Sequence, residues 1–137
     1  MKIRREIKAY IECELRDYDD TLREIGEERN ELILMSPIHD NNGGKSYDIG
    51  NPTEHKAFKL LTNKRIRRME QTCKAIATVI DALPEEKLKL VELKYWVRPQ
   101  TRTDEGIAQE LCCDRRTLYR WIDGIILSLA KELGLAD

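Results

Sequence analysis

The chain has 137 residues, of which 41% are hydrophobic, 36% are charged and one is phenylalanine; this composition favours one domain, or a small domain with a helical extension, over a sheet sandwich. The 24 basic and 25 acidic side chains give a formal net charge of -1, which excludes a strongly basic protein that binds nucleic acid without reading its sequence. Any contact with DNA must therefore come from a local basic patch.

Residues 1–35 are predicted to form one long helix. Apolar residues recur there at steps of three and four positions: Ile3, Ile7, Tyr10, Ile11, Leu15, Tyr18, Leu22, Ile25 and Leu32. Charged residues fill the other faces, and the apolar stripe is as narrow as in helices that pack along another helix. The partner of this stripe is either the second long helix of the same chain, another copy, or a different protein.

Residues 36–53 are predicted to form a long linker, because two prolines, three glycines and three asparagines interrupt both helix and strand patterns. The tetrapeptide Gly43-Gly44-Lys45-Ser46 is close to a phosphate-binding loop. It lacks the upstream glycine and the preceding strand of that motif, so we expect no nucleotide site here.

Residues 54–83 are predicted to form a second long helix, with Thr53 as its N-cap. A basic cluster lies within it: Lys59, Lys64, Arg65, Arg67 and Arg68. Two interpretations stay open. The cluster is either a solvated helix face or a surface whose members Lys64, Arg65, Arg67 and Arg68 contact DNA phosphates, which would add salt-dependent affinity without reading sequence.

A further helix is predicted to begin at Leu83-Pro84-Glu85-Glu86 and to run to about Val97. Proline is favoured in a first helical turn, and glutamate suits the positive end of the helix dipole. The chain is divided here into residues 1–82, a helical region for oligomerisation or partner binding, and residues 83–137, a DNA-binding region.

Residues 103–121 have the residue pattern of a helix-turn-helix motif. Thr103 and Asp114 are good N-caps for its two helices, and Ala108 is small enough for the helices to approach closely. The first helix has an apolar stripe of Ile107, Ala108 and Leu111. The second helix has an inner face of Leu118, Trp121, Ile122, Ile125, Leu129 and Leu133, and an outer face of Arg115, Arg116, Thr117, Tyr119 and Arg120.

The turn between these helices contains Cys112 and Cys113, where such motifs usually place a glycine that adopts positive φ. Another residue at that angle costs some stability but is often tolerated. The alternative interpretation of the segment is an ordinary helical hairpin whose arginines are solvated.

As a DNA-binding motif, the segment has a definite set of candidate contacts. Early residues of the second helix usually reach base edges and nearby phosphates, and arginine binds guanine through two donors. Thr103 and the backbone amides of the first helix would hold a phosphate. Trp121 is expected in the core. The residues predicted to reach the groove are Arg115, Arg116, Thr117, Tyr119 and Arg120.

Several other classes of site are not favoured. The N-terminus lacks the apolar core of a secretion signal and no apolar run could span a bilayer, so we expect a cytoplasmic protein with no membrane partner. Two histidines and no carboxylate pair set against a pocket argue against an enzyme. No disulfide framework is expected, because the chain shows no secretory context. No metal or cofactor is expected either, because the spacing of the cysteines does not match a zinc site. The cysteines are Cys13, Cys73, Cys112 and Cys113.

Residues 83 to about 133 resemble region four of bacterial sigma factors. That region shows a Leu-Pro-Glu-Glu start, matched by residues 83–86, and a Glu-Leu-Arg-Tyr-like helix end, matched by residues 92–95 with Lys94 in place of arginine. It also has a Glu-Ile-Ala core in its helix-turn-helix. Glu105, Ile107 and Ala108 match that core, with Gly106 between them. The resemblance implies an all-α fold that ends in a DNA-binding bundle.

The whole chain is similar to the RinA and ArpU families of small phage-encoded transcriptional regulators. The similarity lies in the length, the long N-terminal helix, the insert followed by Thr53 and Glu54, and the ending Leu-Ala-Lys-Glu-Leu-Gly at residues 129–134. The double cysteine in the turn departs from the usual pattern. This resemblance implies activation of late genes for packaging and virion assembly in phages or prophages of Gram-positive bacteria.

Three hypotheses remain on the sequence alone. The first is a sequence-specific transcriptional regulator that binds double-stranded DNA, as a homodimer or with host RNA polymerase. The second is a small-terminase-like packaging protein, which a ring assembly would favour. The third is a sigma-like module that binds RNA polymerase but no DNA.

Overall fold

The computed structural model describes residues 3–34 and 52–136. Within these ranges the regular structure is helical throughout, which confirms the predicted all-α fold. Most of the predicted linker, residues 36–51, lies outside the described residues. The helices are α1 (Arg5–Arg16), α2 (Tyr18–Leu34), α3 (Pro52–Asp81), α4 (Glu85–Val91), a π-helical segment (Glu92–Trp96), α5 (Asp104–Glu110) and α6 (Arg115–Glu132). Thr53 lies inside α3, one residue after its start.

The prediction of one helix over residues 1–35 is wrong, because α1 ends at Arg16 and α2 begins at Tyr18. Side chains from the C-terminal half bind the last carbonyls of α1. The Trp96 indole nitrogen donates to the Leu15 carbonyl at 2.9 Å, and the Arg98 guanidinium donates to the Arg16 carbonyl at 2.7 Å. The helix can therefore end here without leaving these acceptors unpaired.

The chain divides into two compact units, residues 1–18 with 72–137 and residues 19–71. The boundary predicted between residues 82 and 83 therefore lies inside the first unit. The physical reason is that Ile11 and Leu15 of α1 and Ile76 of α3 are buried in the same core as the C-terminal helices.

The core of the first unit joins α1 and the end of α3 to the helix-turn-helix. Leu15, Leu90 and Leu118 are fully buried in it. At its edges Lys8 pairs with Asp123 of α6 at 3.2 Å. The buried core residues are Ile11, Leu15, Ile76, Val79, Leu90, Val91, Leu93, Tyr95, Ile107, Ala108, Leu118, Ile122, Ile125, Ile126, Leu129 and Ala130.

The helix predicted from residue 83 to about Val97 is α4 followed directly by the π-helical segment. Pro84 precedes α4 with extended backbone, as its position before a first turn predicts. The π-helical segment buries Leu93 and Tyr95. The Tyr95 hydroxyl donates to the Glu12 carboxylate at 2.7 Å, and burial raises the pKa of this phenol, so it stays protonated.

The second unit contains α2 from residue 19 onward and α3 up to residue 71. Ile25 and Ile66 are its buried apolar residues within the described range. Arg65 pairs with Glu24 and with Glu28, the latter at 3.0 Å, and other pairs include Arg29 with Glu70. Several large apolar side chains of this unit remain exposed: Leu22, Ile33, Leu34, Phe58, Leu60 and Leu61.

Within the described part of the chain, no helix combines the length and apolarity needed to cross a bilayer.

The substitution Leu15→Ala is expected to lower the free energy of unfolding by about 2–5 kcal/mol, because it leaves a cavity in the core of the first unit. Urea unfolding followed by circular dichroism measures this. Leu135→Ala is the matched control, since Leu135 lies on the surface of the first unit and is 40% exposed, and its effect should be clearly smaller. Equal effects of the two substitutions would contradict the placement of α1 in the core.

The turn between α5 and α6 supplies a second stability test. Cys112 has φ 56, in the left-handed region that disfavours a Cβ atom, and its side chain is exposed. Cys112→Gly should raise the free energy of unfolding by about 0.5–1 kcal/mol, after allowing for the extra freedom of glycine in the unfolded chain. Cys112→Ala keeps the Cβ atom and should bring no gain; a gain there would assign the effect to the thiol instead.

Candidate nucleic-acid interface

The first helix of the motif, α5, is fixed by its cap and by its buried face. The Thr103 hydroxyl oxygen accepts a hydrogen bond from the Gly106 amide at 3.1 Å, which confirms Thr103 as the N-cap. Ile107 and Ala108 are buried. This short helix is therefore held behind α6, as the predicted motif requires.

The turn and the start of α6 also follow the predicted pattern. The Cys113 amide donates to the Ala108 carbonyl at 3.0 Å, which closes the turn. The Asp114 carboxylate accepts from the Thr117 amide at 2.8 Å and caps α6, as predicted. Hydrogen bonding from Thr117 holds the pKa of the Asp114 carboxyl below its ordinary value, so the cap stays ionised near neutral pH.

The outer face of α6 is the candidate contact surface. Arg115, Arg116, Tyr119 and Arg120 are exposed, whereas Thr117 is half-buried. At 3.6 residues per turn, the four exposed residues span an arc of about 140°. On the opposite side, Leu118 and the later apolar residues enter the core. The structure thus brings four of the five predicted residues of α6 together on one surface and places Thr117 beside it.

Trp121 lies away from this surface. It is half-buried and packs against the core of the first unit, as predicted.

Two hydrogen bonds to Asp104 link the outer face of α6 to α5 and to the π-helical segment. Asp104 accepts from the Lys94 ammonium at 2.8 Å and from the Tyr119 hydroxyl at 3.3 Å. The hydrogen bond from Lys94 is the main cause that holds the pKa of Asp104 below its ordinary value. The stabilisation that ionised Asp104 gives to the folded state is therefore fully present above the ordinary carboxyl pKa. It is lost as the pH falls through the lower pKa that Asp104 has in the folded state.

The sequence did not reveal this role of Asp104. Its position in the first turn of α5 explained it as a residue that favours the helix dipole. The two partners, Lys94 and Tyr119, lie 10 and 15 positions away. No periodic pattern joins residues at such separations, so the link becomes visible only when the helices are packed.

The basic cluster of α3 belongs to the second unit, so it is described separately from α6. Lys64, Arg65, Arg67 and Arg68 are all exposed. Arg65 forms ion pairs with Glu24 and Glu28, which gives it a role in joining α2 to α3. The predicted phosphate contacts of this cluster stay a prediction.

The cysteines are unpaired; Cys112 is exposed and Cys73 is buried. Burial raises the pKa of the Cys73 thiol. Over residues 3–34 and 52–136, no group of three histidine, cysteine or acidic side chains is arranged to hold a metal ion.

Comparison with known proteins gives one match. No curated protein matches the chain, and no solved structure matches it. The family model described as "Protein of unknown function (DUF722)" matches residues 6–131, a range that runs from the first turn of α1 to the last turn of α6. The chain therefore belongs to the DUF722 family.

Proposed function

We propose that the protein is a sequence-specific, DNA-binding transcriptional regulator. The observation that carries this proposal is the start of α6, where Arg115, Arg116, Tyr119 and Arg120 share an exposed face while the rear of the helix is buried. A capped helix of this kind presents its first turns to the major groove. The protein has no overall positive charge, so affinity must come from this local surface.

The charges at the start of α6 suit contact with DNA. Its first six residues contain three arginines and no acidic residue. Arg116 and Arg120 lie one helical turn apart, which allows both to enter the same groove. Arginine donates two parallel hydrogen bonds to the O6 and N7 atoms of guanine, and such a contact discriminates strongly between bases.

The other predicted contacts have supporting roles. The Thr103 oxygen accepts from the Gly106 amide, and its hydroxyl proton remains able to donate to a phosphate. The Tyr119 hydroxyl is bound to Asp104, so its ring is the part offered to the DNA, where it suits a thymine methyl group. Thr117 contacts the backbone or a base from the edge of the surface.

The biological setting of this proposal comes from the resemblance of the sequence to the RinA and ArpU regulators. It supports a phage or prophage activator of late genes for packaging and virion structure, acting in the cytoplasm of a bacterial host with host RNA polymerase.

The double substitution Arg116→Ala with Arg120→Ala is expected to abolish specific binding and to leave helicity unchanged. A duplex enriched from random sequences by the wild-type protein at two salt concentrations provides the ligand, and fluorescence anisotropy gives Kd. The loss should be at least about 30-fold, because each of the two two-pronged contacts contributes about 1–3 kcal/mol of discrimination.

Lys131→Ala is the control for this experiment, because Lys131 lies at the other end of α6, about 22 Å along the helix from Arg116. The Kd of the Lys131→Ala variant for the enriched duplex should match that of the wild-type protein. Specific binding that survives the double substitution at moderate salt would show that α6 is not the reading helix. Absence of any enriched duplex would instead favour a module that binds protein only.

We also propose that the regulator acts as a homodimer and that the exposed apolar side chains of the second unit join the two copies. Phe58 and Leu61 lie one turn apart on α3 and are 51% and 67% exposed. Exposed apolar patches of this kind mark association surfaces. A second copy is the favoured partner because two linked helix-turn-helix units bind paired half-sites far more tightly than one.

The double substitution Phe58→Asp with Leu61→Asp should therefore convert a dimer to a monomer and weaken binding to a two-half-site duplex. Sedimentation velocity gives the assembly state. Lys59→Asp, which places a negative charge beside the apolar pair without removing an apolar side chain, is the control. A wild-type monomer would contradict the homodimer. A wild-type ring would favour the small-terminase-like function.

A further inference from the structure

A basic cavity of about 330 Å³ lies in the first unit, between the end of α1 and the segment that leads into α5. Its lining includes Arg16, Lys94, Arg98 and Arg102, with Asp104 as the acidic residue of the lining. We propose that this cavity binds a phosphate of the DNA backbone, held by the three arginines. The inference rests on the proposed function, which it extends by a second contact surface that includes the N-terminal helix.

Arg16 is available as a hydrogen-bond donor. Its guanidinium lies over the Tyr95 ring, with 5.6 Å between the central carbon and the ring centroid. The Tyr95 hydroxyl is bound to Glu12, which fixes the ring beneath the guanidinium. A cation placed on an aromatic face is oriented without using its N–H groups, so those donors can serve a phosphate.

Arg98 can donate to a phosphate while it keeps its hydrogen bond to the Arg16 carbonyl, because a guanidinium has five N–H groups. Arg102 can turn toward a phosphate at little cost. Arg98 pairs with Asp17 at 3.5 Å and Arg102 pairs with Glu110 at 2.6 Å. All four side chains are more than a third exposed, and ion pairs exposed to that degree add little stability. Arginine is also the side chain whose planar donors best match phosphate oxygens.

The position of the cavity connects it to the candidate reading surface. Asp104 lines the cavity and also accepts the hydrogen bond from Tyr119 of α6. Lys94 is paired with the same carboxylate, and Arg98 and Arg102 are paired with acidic residues at the rim. The main positive charge that the cavity offers to a phosphate is therefore that of Arg16. A duplex seated on the outer face of α6 would therefore bring flanking phosphates to this cavity.

A phosphate site of this kind makes a definite contribution to binding. Backbone contacts fix the position of the duplex and strengthen binding to every sequence equally. Each neutralised phosphate releases about 0.9 counterion, so its loss lowers the slope of log affinity against log salt by about one.

The test is Arg16→Gln in the full chain, with Kd measured for an enriched duplex and for a random duplex between 50 and 200 mM salt, a range chosen to resolve the slope. Both affinities should fall by the same factor, roughly tenfold, and the salt slope should fall by about one. Arg16→Lys, which keeps the charge, should restore much of the affinity. Circular dichroism checks that the variants fold.

Arg23→Gln is the matched control, because this exposed arginine pairs with Asp20 in the second unit. If the wild-type protein binds DNA and Arg16→Gln has the same Kd and the same salt slope, the phosphate site is overturned. The proposed function is not affected by that result. A loss confined to the enriched duplex would also overturn the phosphate site, since the residue would then read bases. A wild-type protein that binds neither duplex would overturn the proposed function and, with it, this inference.

Competition by inorganic phosphate tests whether the cavity binds a phosphate of the DNA backbone or a free anion. We expect inorganic phosphate to compete with the duplex only weakly. Tight binding of inorganic phosphate that Arg16→Gln abolishes and that leaves duplex affinity unchanged would assign the cavity to a free anion and overturn the proposal.

Discussion

The burial of α1 against the helix-turn-helix is the constraint on which the rest of the first unit depends. Helices α4 and α5 have seven residues each, too few to enclose a core by themselves. Ile11 and Leu15 supply the missing side, and both are almost completely inaccessible to solvent. The sequence leaves open whether the apolar stripe of residues 1–35 packs on the same chain, on another copy or on a different protein. The α1 part of it is one side of the core of the first unit.

The packing of α1 in this core determines what α6 can present outward. Leu118 and Ile122 are held in the core, so the rotation of α6 about its own axis is fixed and its arginines face solvent. Asp104 restrains the same helix from the side through Tyr119. The candidate reading surface is therefore pre-positioned by packing, and little ordering of α6 itself would be needed when a duplex binds.

Local signals in the sequence were sufficient for much of this architecture. The caps Thr103 and Asp114, the proline before α4 and the apolar spacing of α6 each act within one or two turns, so residue order alone reveals them. The end of α1 could not be predicted in this way, because its carbonyls are bound by Trp96 and Arg98, about 80 positions later. The division into units, the Asp104 network and the arginine cavity likewise depend on contacts between distant segments.

The first unit is assembled from both ends of the described chain, with the second unit inserted between them. During synthesis α1 therefore leaves the ribosome long before α6 exists. The apolar residues of α1 cannot pack against α6 until more than ninety intervening residues have been translated. Contacts of such long sequence separation slow folding and leave apolar surface exposed to other chains. Under the proposed function, the chain would become competent to bind DNA only once α6 has been made, so incomplete chains would not occupy its target sites.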